Sequence, residues 1–81
     1  MANETKSFDN AETAIKTAFK LRNKEKYVCV IYCGKSKKFF IEHDPGLFIR
    51  NFETVVLEFV KGERAPGYGT DQAIITEFSN K

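Results

Sequence analysis

The sequence predicts an α+β domain in which an N-terminal helix packs on an antiparallel sheet of three or four strands. Three observations predict it. Residues 11–22 repeat apolar side chains at three- and four-residue spacing, as one face of a helix requires. Residues 27–33, Tyr-Val-Cys-Val-Ile-Tyr-Cys, form an unbroken β-branched and aromatic run. Two turn signals, Gly34-Lys35-Ser36-Lys37 and Asp44-Pro45-Gly46, then bracket a short apolar run that reads as a return strand.

The helix is expected from a cap at Ser7 or Asp9 to about Asn23. Ala11, Ala14, Ile15, Ala18 and Phe19 share one face, and Glu12, Lys16 and Lys20 share the other. Glu12 and Lys16 are i,i+4 neighbours of opposite sign, and the acid-first, base-last order suits the helix dipole. Three alanines on the apolar face imply close approach to the sheet. Residues 1–7 are polar and are expected as a disordered tail before a single domain over 8–81.

The strand over 26–33 is apolar on both sides, which marks a central strand or one covered on its second face. Gly34 is expected to supply any positive φ in the turn, and 38–43 to return antiparallel. Residues 45–61 admit two readings. Asp44 as cap, Pro45 at the first position and Gly62 past the end would frame a second helix. Against this, 53–61 is rich in β-branched residues, and Val55, Leu57 and Phe59 alternate with Thr54 and Glu58. The composition favours a strand over 53–61. Three glycines and a proline make 62–72 a loop. Residues 73–78 form a last short element, either a strand returning against 53–61 or one and a half turns of helix.

Eighty-one residues with 42 % hydrophobic content and eight phenylalanines support one core without much margin. Two cysteines provide no disulfide framework. A homodimer that buries leftover apolar surface is therefore the expectation. Residues 1–7 have neither the basic nor the apolar segment of a signal peptide. The longest apolar run, 27–33, is far shorter than a membrane span. A cytoplasmic location with reduced thiols follows as the expectation.

Net charge is +2, but it is unevenly spread. Residues 16–38 hold eight lysines and arginines against Glu25 alone, whereas residues 39–81 are net acidic. Lys20, Arg22 and Lys24 sit at the helix end, and Lys35, Lys37 and Lys38 crowd the hairpin turn. These six are the candidate contacts for nucleic acid or another polyanion, with Tyr27, Tyr32, Phe39 and Phe40 interleaved. An antiparallel hairpin places the two groups roughly 20 Å apart, so they read as two basic ends rather than one patch.

Other constellations carry less. Cys29 and Cys33 share a strand face about 13 Å apart, beyond disulfide reach, and read as buried reduced thiols. Glu42, His43 and Asp44 alternate faces, so His43 reads as a surface residue with no acid–base partner. Arg64 and Tyr68, in the glycine-rich loop, are candidate interaction residues. Gly34-Lys35-Ser36 lacks the upstream glycine of a phosphate-binding P-loop. The order of elements resembles the αβββα arrangement of double-stranded RNA-binding domains. Those domains use a basic segment at the start of the final helix, whereas Gln72 to Lys81 carries only Lys81. No catalytic, cofactor or metal constellation emerges. The expected function is a non-enzymatic protein-interaction module, self-associating or with a protein partner, with polyanion binding as the alternative.

Overall fold

The computed structural model describes residues 7–43 and 50–79. Helix α1 spans Ala11–Leu21 and is capped by Asn10, whose side chain accepts from the Thr13 amide at 2.9 Å. The cap is thus neither Ser7 nor Asp9. Asn10 is extended, and Thr13 stands three residues on, as the capping geometry demands. Glu12 and Lys16 form the expected ion pair at 3.1 Å. Ser7 and Phe8 precede the helix as a two-residue strand, β1, so Ser7 is paired, and residues 1–6 lie outside the described residues.

The sheet is antiparallel throughout. It comprises β1, β2 (Tyr27–Cys33), β3 (Lys38–Glu42), β4 (Glu53–Val60) and β5 (Glu63–Arg64), in the spatial order β1–β3–β2–β4–β5. The run 27–33 is therefore the central strand, as its two apolar faces imply. Residues 53–60 are strand rather than the alternative helix, and the part of that alternative over 45–49 lies outside the described residues. The two-residue edges β1 and β5 extend the expected three or four strands to five.

Helix α2 spans Asp71–Ser79, so the last element is a helix of nine residues and not a strand. Thr70 caps it by accepting from the Ala73 amide at 3.1 Å, and Asp71 lies in the first turn.

Both helices lie on one side of the sheet. Ala11, Ala14, Ile15 and Ala18 of α1 and Ile74 of α2 pack with Val28, Val30, Tyr32, Phe39, Leu57 and Phe59. Ala14 and Ala18 are fully buried, which is the close approach that alanine permits. Val56 is the extra residue of a β-bulge: Val30 pairs with Leu57 and Ile31 with Val55. The bulge lets Val56 and Leu57 both enter the core.

Tyr32, Phe39 and Phe78 close one end of this layer, with ring centroids 5.0–5.7 Å apart. Among the described residues only Phe19 and Val60 are large apolar side chains left exposed. The described phenylalanines are thus largely consumed by this domain's own packing, whereas Leu47 and Phe48 lie outside the described residues.

The second sheet face carries Cys29, Ile31 and Cys33, all buried. Both cysteines are free. Cys29 stands between Glu42 and Glu58 in register. Glu58 accepts from the Tyr27 hydroxyl at one carboxylate oxygen and from the Tyr68 hydroxyl, at 2.7 Å, at the other. No described helix is long and apolar enough to cross a membrane.

Candidate functional site

The antiparallel pairing of β2 with β4 decides which cations meet. Tyr27 pairs with Val60, so Lys26 and Lys61 are neighbours at the same end, and the Lys61 amide donates to the Lys26 carbonyl at 2.7 Å. The end of α1 arrives at the same place. The amides of Lys24 and Glu25 return to the Leu21 carbonyl, at 2.9 and 3.0 Å, and turn the chain into β2.

The result is a shallow depression of about 420 Å³, lined by Arg22, Asn23, Lys24, Glu25, Lys26, Lys61 and Gly62. Four cations face it against one carboxylate. Lys24, Lys26 and Lys61 enter no salt bridge among the described residues.

Arg22 organises this end. Its guanidinium lies 4.0 Å from the centroid of the Phe19 ring and donates to the Gly62 carbonyl at 3.2 Å and to Asn23 Oδ1 at 3.3 Å. Its Nε is buried and has no hydrogen-bond partner. Phe19, in turn, meets Phe59 edge-on at 6.1 Å.

Lys61 and Gly62 form the two-residue connection between β4 and β5, and both have positive φ, 53° and 83°. That is the pattern of a type I′ turn, in which asparagine and glycine are the favoured pair. Lysine thus occupies a left-handed position that costs an ordinary L-residue more than it costs asparagine or glycine.

The hairpin turn has a different character. Its positive φ falls on Lys37, at 59°, and not on Gly34. Gly34 instead sits close to β4: its amide donates to the Phe52 carbonyl at 2.7 Å, and an added Cβ would stand 3.3 Å from that oxygen. Lys38 is paired with Asp9 at 2.5 Å, and this hydrogen bond and charge hold the Asp9 carboxyl below its ordinary range. Lys35 lies 4.7 Å from the centre of the Phe52 ring. Lys37 lines a separate depression between the start of α1 and the end of α2, whose rim also carries Asp9 and Glu12. The turn cations are thus dispersed or offset, and β2 separates them from the basic end.

Of the six candidate polyanion contacts, Arg22 and Lys24 line the basic depression. Lys20 stands beside it on the last turn of α1. Lys26 and Lys61 join them, and neither was among the six candidates. Lys61 is far from 16–38 in sequence, and its placement follows once 53–60 is paired antiparallel with 27–33.

The loop candidates are engaged within the fold. Arg64 pairs with Asp71 and donates to the Gly69 carbonyl at 2.6 Å. Tyr68 is held by Glu58, and burial together with that carboxylate pushes its hydroxyl up to about 12. Tyr27 is raised further, by burial first and then by Glu58.

Burial raises the Cys29 thiol, whereas hydrogen bonding from Ser36, side chain first and then backbone, lowers that of Cys33. His43 is exposed at the end of β3. The start of α2 carries Asp71 and Gln72 and no cation. Among the described residues no group of three potential ligands could hold a metal ion. Comparison with known protein families, characterised proteins and solved structures finds no match.

Proposed function

We propose that this chain is a non-enzymatic interaction module that engages an anionic partner through its basic end. One observation carries the reading. Arg22, Lys24 and Lys26 from the α1–β2 connection and Lys61 from the β4–β5 turn come to one depression, opposed by Glu25 alone. Like charges gathered this way repel one another, by roughly 1 kcal/mol for a pair about 4 Å apart in bulk water and by less in salt. An anion relieves that repulsion, and this is the physical reason to read the cluster as a binding surface. Phosphates and carboxylates satisfy the requirement equally.

The test is titration with a labelled polyglutamate peptide and a labelled oligonucleotide at low and high salt. Lys24→Gln, Lys26→Gln and Lys61→Gln combined should abolish salt-sensitive binding, and Lys35→Gln with Lys37→Gln should leave it intact. Binding that survives the first set and fails in the second would move the site to the hairpin turn and overturn the proposal.

A further inference from the structure

Beside the basic depression lies a groove of different chemistry. Ile15, Lys16, Phe19, Lys20 and Asp71 line it, and it encloses about 270 Å³. Phe19 is 51 % exposed although it sits on the helix face that otherwise enters the core. Arg22 joins the two concavities, since its guanidinium covers Phe19 and also lines the basic depression.

The one acidic group in the groove, Asp71, is already paired with Arg64, so it offers little repulsion to an incoming carboxylate. Lys20 stands on the groove wall without a salt bridge among the described residues. An apolar slot therefore runs into a cationic one along the last two turns of α1.

We infer that the partner of the basic end is an acidic protein segment that inserts one bulky apolar side chain into the Ile15–Phe19 groove and sets its flanking carboxylates on Arg22, Lys24 and Lys61. This inference rests on the proposed function of the basic end and names its partner. Charge complementarity selects the flanking acids, and the apolar groove selects the anchor. A nucleic acid would use the cations but has no bulky aliphatic side chain for the groove. A lipid surface favours apolar side chains that protrude, whereas Phe19 lies in a concavity under a guanidinium.

The experiment uses the full chain and four probes: a glutamate-rich peptide with a central leucine, the same peptide with serine there, a single-stranded oligonucleotide of equal charge, and phosphatidylserine vesicles. The leucine peptide should bind at least about tenfold more tightly than the serine peptide, the return for burying one such side chain. Phe19→Ser should erase that difference while leaving the weaker, salt-sensitive binding of both peptides, and Phe19→Leu should retain it. Circular dichroism of each variant confirms that the helix is intact.

Equal affinity for the two peptides would overturn the inference and leave the basic-end reading standing. Tighter binding of the oligonucleotide or of the vesicles would overturn it in favour of that partner. Binding of no probe would overturn both readings together.

Discussion

Replacing Lys61 by asparagine separates what the β4–β5 turn needs from what the basic end needs. Lys61 holds φ at 53° in a two-residue connection, with Gly62 at 83°. A left-handed backbone costs an ordinary L-residue roughly 1–2 kcal/mol, and asparagine recovers part of this through its short polar side chain. The Lys61 side chain is exposed and makes no salt bridge among the described residues, so its removal breaks none. The expected gain is about 0.5–1 kcal/mol, or roughly 2–8 °C in Tm for a domain of this size. Lys61→Ala keeps the Cβ and should gain nothing. Lys61→Gly relieves the strain but frees the unfolded chain, and should be close to neutral.

The assay is urea and thermal denaturation of the three variants, alongside titration with polyglutamate. Lys61→Asn should be the most stable and also the weaker binder, with a shallower salt dependence. A neutral or destabilised Lys61→Asn would refute the strain argument, and unchanged affinity would remove Lys61 from the binding surface.

Four further outcomes follow from the packing. Glu58→Ala leaves two phenols without their acceptor and should lower stability by about 1–3 kcal/mol in urea titration, with Glu58→Gln in between. The Tyr68 hydroxyl is raised to about 12 from an ordinary 10, so its contribution is complete below pH 10 and is lost as pH rises towards 12. Denaturation midpoints across that range should fall less steeply for Tyr68→Phe. Leu57 is fully buried, and Leu57→Ala should remove about 2–5 kcal/mol, enough to abolish a cooperative transition in a domain this small. Cys33 is the less buried thiol and the one whose hydrogen bonds favour thiolate, so alkylation followed by mass spectrometry should modify it before Cys29. Faster reaction at Cys29 would contradict the burial of β2.

What the sequence reveals tracks the length over which a pattern repeats. α1 and β2 are legible because eleven and seven residues repeat one rule. β4 is legible through its β-branched content, yet its bulge at Val56 breaks the alternation and brings two adjacent residues inward, which is why a helical spacing could also be fitted. β1 and β5 are two residues each, too short for any periodicity. α2 has a readable start in Thr70 and Asp71, but its short apolar run gives strand and helix equal claim without them. The basic end was half legible. Arg22 and Lys24 stand out in a charge count along the chain, whereas Lys61 belongs to it only through pairing across the sheet. A count along the chain also overstates the hairpin turn, because Asp9 and Phe52 engage Lys38 and Lys35 from distant positions.

The place of β2 at the centre of the sheet has a consequence for the chain as it is being made. On one side β2 pairs with β3, which follows it at once; on the other it pairs with β4, whose last residue is Val60. While the ribosome adds the intervening residues, for roughly one to five seconds, one edge of β2 has no partner. That edge is seven residues without charge, proline or glycine, the composition that seeds intermolecular strand stacking. Lys24 and Lys26 before it and Lys35, Lys37 and Lys38 after it flank the segment with like charge. Charged residues flanking such a strand oppose its stacking against neighbouring copies.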